Sequence, residues 1–183
     1  MLTTPGFLKG LGLGTREVRA VESRIEITAD DGRVRMWLDL SEGVTDFEDL
    51  LLDGVPIITD AEGWGEGALV DRVKEWSPED VAEAALLLAE FGEVAVAAGE
   101  VVNSVAQLKD MVGDEYIGWY ASARDAGWAL AAKFMTAEQW ATIETFKAYF
   151  DFAKYALDMD TDGAIYMVEG RCGGRRGFYV FNA

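Results

Sequence analysis

Four carboxylates near the end of the chain follow the spacing of calcium-binding loops. Positions 1, 3, 5 and 12 of such a loop are held by Asp158, Asp160, Asp162 and Glu169. Gly163 occupies position 6, where an EF-hand requires a sharp turn. An EF-hand also needs a helix after its last ligand, whereas a glycine-rich segment follows Glu169. We therefore expect no metal site and keep calcium binding as an alternative.

A larger group of carboxylates lies in residues 37–107. This stretch holds seventeen Asp and Glu against two bases, Arg72 and Lys74, an excess of fifteen negative charges. The whole chain carries a net charge of −17, so nearly all of the excess lies in about two fifths of the residues. An adaptation to salt would acidify the two ends as well. The confinement of the charge favours a surface for a basic partner, which such a field would attract.

The net charge and the residue composition of the chain exclude several classes of function. A net charge of −17 repels nucleic acid and anionic membrane surfaces. The chain has no histidine, which removes Ser-His and Cys-His catalytic pairs and His-ligated metals. Its one cysteine, Cys172, cannot form an internal disulfide. Without a signal-peptide pattern or a membrane-spanning apolar run, we expect a soluble, cytoplasmic protein. Because the sequence also has no nucleophile elbow and no phosphate-binding loop, we expect a protein that is not an enzyme and has no cofactor.

Turn signals and apolar periodicity predict an α+β fold of three small domains in series. A flexible lead-in over residues 1–21 precedes an antiparallel β-rich domain at 22–67. An acidic helical bundle follows at 68–112, and a mixed α/β domain at 113–183.

Individual elements follow from the same patterns. Strands are predicted over residues 24–28, 33–40, 55–59, 116–120, 164–169 and 177–182. Helices are predicted over residues 47–52, 68–75, 77–91, 94–102, 104–111, 122–134 and, with a break, 136–157. The first two strands should form a hairpin around Asp30-Asp31-Gly32, and residues 60–67 should form a loop.

The helix predicted over residues 77–91 indicates on which side of the helix the acidic residues lie. At 100° per residue, Glu79, Glu83 and Glu90 fall within about 40° of one another. The opposite side carries apolar residues that supply the core: Val81, Ala84, Ala85 and Leu88. From Glu79 to Glu90 the stripe runs for roughly 16 Å. Because B-DNA carries one phosphate charge per roughly 1.7 Å of its axis, the stripe covers the length of about five base pairs.

We predict a partner-binding surface that continues this stripe along the chain. Its expected residues are Asp60, Glu62, Asp71, Glu75, Glu79, Asp80, Glu83, Glu90, Glu93, Glu100, Asp110, Asp114, Glu115 and Asp125. Like charges one helical turn apart cost a few tenths of a kcal/mol, and a helix selected for stability alone would interleave bases. We therefore favour partner binding, and not helix stability, as the explanation for the uncompensated acids of this helix.

Aromatic residues at 116–120 have two interpretations. Tyr116, Trp119 and Tyr120 alternate along a predicted strand, so part of their surface would be exposed. Core packing is the simpler interpretation, and a subunit contact, where aromatics are enriched, is the other.

Several motifs, in order along the chain, resemble the ArdA antirestriction proteins of plasmids, transposons and phages. They are residues 32–40 (ending in WLDL), 58–64 (ITDAEGW), 116–125 (YIGWYASARD), 149–158 (YFDFAKYALD) and 179–181 (YVF). Two positions depart from the family pattern, because Ala61 stands where Tyr is usual and Leu157 where Arg is common.

The resemblance implies an elongated, curved homodimer of three domains that mimics bent B-form DNA. Such proteins occupy the DNA-binding groove of type I restriction-modification enzymes, both the methyltransferase core and the nuclease complex. The family dimerises through its C-terminal domain, which makes Tyr116, Trp119 and Tyr120 candidate dimer contacts. Asp158 falls on a family motif position without metal, which weakens the calcium alternative. A mimic directed at another nucleic-acid-binding protein stays open.

Overall fold

A computed structural model of the chain describes residues 24–29, 35–40, 56–64 and 68–183. These residues form an α+β structure with two small antiparallel sheets, as the sequence predicts. Three predictions lie outside the described residues: the lead-in, the turn at residues 30–32 and the helix at 47–52.

The first sheet has three strands: β1 (Arg24–Ala29), β2 (Arg35–Asp39) and β3 (Pro56–Glu62). The strand order is β2-β1-β3, and both pairs are antiparallel, which confirms the pairing of the first two predicted strands. The predicted loop at residues 60–67 is wrong at its start. The pairing register shifts between Glu26 and Ile27 of β1, and β3 continues pairing to Glu62, opposite Arg24.

Four helices follow the first sheet, and together we call residues 68–112 the helical segment. They are α1 (Ala68–Val73), α2 (Pro78–Phe91), α3 (Glu93–Gly99) and α4 (Val105–Gly113). The helix α2 packs against both α3 and α4. Each lies where the sequence predicts a helix, although α1 ends two residues and α3 three residues before the predicted end, and α4 runs two residues past it.

Residues 113–183, which we call the C-terminal segment, alternate strands and helices. Its elements are β4 (Tyr116–Tyr120), α5 (Ala123–Phe134), α6 (Ala137–Thr145), α7 (Phe152–Thr161), β5 (Ile165–Cys172) and β6 (Arg175–Asn182). The sheet order is β4-β6-β5, with β6 in the centre. The helix predicted from residue 136 is interrupted over residues 146–151, and its second part, α7, packs against α5.

One cluster of buried side chains joins all three parts of the chain. It includes Ile25 of β1, Leu88 of α2 and Phe181 of β6. The neighbouring residue on β6, Val180, belongs to a second cluster with α5 and α7, because successive strand residues point to opposite faces of a sheet. The central strand of the second sheet thus contributes to two cores. The division into three domains stays a prediction.

Among the helices that the structure describes, none combines the length and the apolar character that crossing a bilayer requires.

Candidate partner-binding surface

Local signals place the acidic face of α2 outward. Ser77 caps the helix by accepting a hydrogen bond from the backbone N–H of Asp80 at 3.2 Å. Gly92 ends it with a positive φ of 55°, and its N–H donates to the Leu88 carbonyl. The four predicted core residues of this helix are fully buried: Val81, Ala84, Ala85 and Leu88. Glu79 and Glu90 are exposed on the other side, as the helical spacing predicts.

None of the fourteen predicted surface acids is buried. Eleven are exposed, and Glu83, Glu100 and Glu115 are half-buried. Within the described part of the chain, nine carboxylates accept no hydrogen bond and form no ion pair. They are those of Glu62, Asp71, Glu75, Glu79, Asp80, Glu90, Asp110, Asp114 and Glu115. These groups are available to a basic partner.

The two bases of the acidic stretch do not neutralise it. The Arg72 guanidinium donates to the backbone carbonyl of Gly99, which ties α1 to the end of α3. Lys74 is exposed and forms no ion pair with any described residue. Neither positive charge therefore pairs with a surface carboxylate that the structure describes.

Five of the predicted surface acids have internal roles. Asp125 accepts from the Ser122 hydroxyl at 2.7 Å at the start of α5, and Asp60 accepts from the backbone N–H of Ala61. Glu100 accepts from the backbone N–H of Ala68 at 3.3 Å. These contacts engage one oxygen of each carboxylate, so the three groups are less available than their exposure suggests. The other two, Glu83 and Glu93, contact other elements.

Glu83 pairs with Lys109, a residue that the sequence analysis did not single out. The Lys109 ammonium donates to Glu83 Oε1 at 2.7 Å, from α4 to α2. This hydrogen bond and the Glu83 charge raise the pKa of Lys109. The two residues are 26 positions apart, so no local pattern predicts the pair. The acidic stripe is therefore partly neutralised at its middle.

Glu93 bridges the helical and C-terminal segments. Its Oε2 atom accepts from the Tyr179 hydroxyl at 3.2 Å and from the backbone N–H of Gly173 at 3.3 Å. Burial, followed by the nearby Glu93 charge, raises the pKa of Tyr179 well above its usual range. The motif containing Tyr179 signalled a role for the tyrosine, but nothing local connects it to Glu93.

The three predicted dimer-contact aromatics are half-buried within the monomer. The rings of Tyr116 and Phe181 have centroids 5.5 Å apart. Trp119 packs over Gly177, where an added Cβ would lie 2.6 Å from the indole. Burial raises the pKa of both Tyr116 and Tyr120. Each ring thus has a packing role, and a dimer contact at these residues stays a prediction.

More apolar surface is exposed elsewhere in the C-terminal segment. The large exposed side chains there are those of Trp128, Phe134, Phe146, Tyr149, Leu157 and Tyr166. The helix α6 buries none of its residues, and its contact with α5 includes an edge-to-face pair of Trp128 and Trp140 at 4.9 Å. The sequence analysis did not identify this surface.

Residues with calcium-loop spacing adopt a different structure. Asp158 and Asp160 lie on α7, whereas Glu169 lies on β5. Asp158 pairs with Lys154 at 2.7 Å, and Asp160 accepts from the backbone N–H of Met167. Helical hydrogen bonds continue to Asp162, so residues 158–161 cannot form the loop that the spacing suggests. Among the described residues, no three acidic, histidine or cysteine side chains form a group that could hold a metal ion.

Comparison with known proteins agrees with the motifs. The family described as antirestriction protein (ArdA) matches residues 34–172, which is more than half of the chain. No curated protein and no solved structure matches. The matched range spans β2, the helical segment and most of the C-terminal segment. The chain therefore belongs to the ArdA family of antirestriction proteins.

Proposed function

We propose that this protein mimics bent B-form DNA and competes with DNA for the binding groove of type I restriction-modification enzymes. The observation that carries the proposal is the set of nine carboxylates, six of them within residues 37–107, that have no hydrogen-bond or ion-pair partner in the described part of the chain. Family membership supports a restriction enzyme as the partner. The protein acts by occupying the groove and catalyses no reaction.

The physical mechanism is substitution of phosphates by carboxylates. A DNA-binding groove presents Lys and Arg that neutralise phosphates, and these bases donate equally to carboxylates in charge-assisted hydrogen bonds. Outward acids on α2 lie on a helix with a fully buried opposite face, so their spacing is held by the core. Such a preorganised surface loses little conformational entropy on binding.

We also propose that the protein acts as a homodimer formed through the C-terminal segment. Large apolar side chains are exposed there, with Tyr149 at 90% and Phe146 at 58%. Residues 123–152, which contain both, hold three bases and four acids, a near balance within a chain of net charge −17. Two copies could approach through this part with less repulsion than through the acidic helices.

Inhibition of a purified type I enzyme at several salt concentrations tests the mimicry. Counterion release makes DNA affinity fall steeply with salt, by about 10³ to 10⁵ between 50 and 200 mM for 6–10 phosphate contacts. We expect the inhibition constant of this protein to rise in the same manner, for both cleavage and methylation. An inhibition constant that did not change with salt would rule out charge mimicry.

A type II endonuclease and a nucleoid DNA-binding protein serve as comparison targets. Selective inhibition of the type I enzyme supports the proposed target. Equal inhibition of all three would indicate a mimic of general DNA geometry, directed at any nucleic-acid-binding protein.

A further inference from the structure

Glu93 carries every side-chain hydrogen bond that joins the helical segment to the C-terminal segment within the described residues. Its carboxylate lies at the first residue of α3 and accepts from the Tyr179 hydroxyl and from the Gly173 N–H. The bonds that Arg72 and Lys109 donate, by contrast, stay inside the helical segment. The geometry therefore makes the Glu93 carboxylate a tie between two parts of the proposed mimic.

The β5–β6 turn orients the backbone N–H of Gly173 toward the Glu93 carboxylate. Gly173 and Gly174 have φ values of 57° and 81°, the left-handed conformation of a two-residue hairpin turn. The Gly173 N–H is outside the ladder between Cys172 and Arg175 and donates to Glu93 instead. Side chains at either glycine would strain this turn.

The Tyr179 hydroxyl is held in place by the packing of its ring. Tyr179 is 2% exposed, and Gly170 on the paired strand leaves room for it, since an added Cβ would lie 2.8 Å from the ring. The hydroxyl lies 2.6 Å from the Arg171 carbonyl and 3.2 Å from Glu93, so the two acceptors share its single proton. The Tyr179 hydroxyl is therefore a hydrogen-bond donor that is held at a fixed, buried position next to Glu93.

We propose that Glu93 is a positioning residue that fixes the helical segment relative to the β5–β6 hairpin. The helix α3 packs against β5 and β6, so the tie holds an interface that already exists. The inference rests on the proposed function, because a rigid groove requires a set spacing between the acids of α2 and those of the C-terminal segment, such as Asp125. Glu93 contributes to inhibition through its hydrogen bonds, not through its charge.

Four variants separate the hydrogen bonds from the charge. Tyr179→Phe removes the hydroxyl at constant charge, and Glu93→Ala removes the carboxylate. Glu93→Gln loses the charge but keeps an oxygen that accepts from Gly173 and Tyr179. Glu90→Gln is the matched control, because it removes one charge from an exposed carboxylate that has no partner among the described residues.

We expect Tyr179→Phe, which removes one hydrogen bond to Glu93, to weaken inhibition of the type I enzyme roughly fivefold. Glu93→Ala, which removes both, should weaken inhibition at least as much. Glu93→Gln and Glu90→Gln should stay within about twofold of the parent protein. The slope of inhibition against salt should be unchanged in Tyr179→Phe, because the charge is the same. Equal weakening by Glu93→Gln and Glu93→Ala would assign the effect to charge and overturn the proposal.

A distance measurement tests the tie without reference to inhibition. Spin labels at Ala106→Cys on α4 and Arg176→Cys on β6, both exposed positions, report the relative position of the two segments in a Cys172→Ala background. We expect a narrow distance distribution when Glu93 is intact or carries the Glu93→Gln change, and a broader one in Tyr179→Phe and Glu93→Ala. An unchanged distribution in Tyr179→Phe and Glu93→Ala would overturn the positioning role of Glu93. A salt-independent inhibition constant of the parent protein would instead overturn the DNA mimicry.

Discussion

The Lys109 ammonium lies 2.7 Å from Glu83 Oε1 and joins α4 to the acidic face of α2. Both side chains are largely exposed, at 63% and 45%. An exposed pair of this kind contributes little to folding, since water screens the attraction. Its larger consequence is that Lys109 competes with a basic partner for Glu83.

Replacing Lys109 with Met should therefore strengthen inhibition at low salt, because Glu83 is released and the net charge becomes −18 instead of −17. The matched control is Lys74→Met, which removes one exposed positive charge without releasing any carboxylate among the described residues. Inhibition constants of the two variants at low and high salt provide the measurement. A weaker inhibitor that keeps its fold would instead show that the pair positions α4.

Removal of unpaired acids should act in aggregate. Glu79→Gln alone is expected to change the inhibition constant less than about threefold, as for one exposed charge. Replacing Glu75, Glu79 and Glu90 together with Gln should make the inhibition constant less dependent on salt. The slope of its logarithm against the logarithm of the salt concentration should fall by up to roughly 0.9 for each basic group of the partner that is no longer neutralised. The control triple changes exposed acids outside the proposed surface, Glu138, Glu144 and Glu169. Both triples reduce the net charge equally, so equal loss of inhibition would show that total charge matters and the location does not.

Gly127 is required by the close approach of α5 and α7. A Cβ at this position would lie 1.8 Å from the backbone oxygen of Phe152, which no side-chain rotation can relieve. Gly127→Ala should reduce the free energy of unfolding by about 3 kcal/mol or more. Gly113→Ala is the control, because nothing lies within 4 Å of its Cβ and alanine favours a helix by up to about 1 kcal/mol. Urea unfolding of both variants checks this, and equal stability would contradict the packing.

Alkaline pH should destabilise the protein through its tyrosines. Burial raises the pKa of Tyr116, Tyr120 and Tyr179 above the ordinary value of 10.0. The protonated form is thus favoured in the folded state, and this contribution is fully present below pH 10 and lost as the pH rises through the folded-state pKa. Lys109 and Lys154, whose pKa values are also raised, change in the same direction.

Urea midpoints measured from about pH 8 to 11 should therefore fall at the alkaline end. Tyr179→Phe should show a smaller decrease than the parent protein, although its stability at pH 8 is lower. A decrease of the same size in both proteins would show that Tyr179 does not titrate in this manner.

Self-association should depend on the exposed apolar side chains of the C-terminal segment. Substituting both Phe146 and Tyr149 with Ser is expected to weaken a dimer in sedimentation experiments, because the interface would then bury less apolar area. Leu86→Ser is the control, since Leu86 is 51% exposed but lies on α2. Tyr116→Ala should instead lower stability, because its ring packs on Phe181. A parent protein that sediments as a monomer would contradict the dimer.

The helices were predictable because their signals lie within a few residues. Ser77, Pro78 and Gly92 delimit α2, and Thr136 with Gln139 forms the capping box that starts α6. Hydrogen bonds of this kind form between residues a few positions apart in the sequence, so the same residue types predict them in any tertiary context. The outward direction of the α2 acids follows equally from helical spacing and the buried opposite face.

Other features arise only when distant segments pack together. β3 extends to Glu62 because β1 offers it a paired edge. Lys109 meets Glu83 across 26 residues, and Tyr179 meets Glu93 across 86. The composition and local pattern thus determine the charge of the surface, whereas the packing of the segments decides which of its carboxylates stay available to a partner.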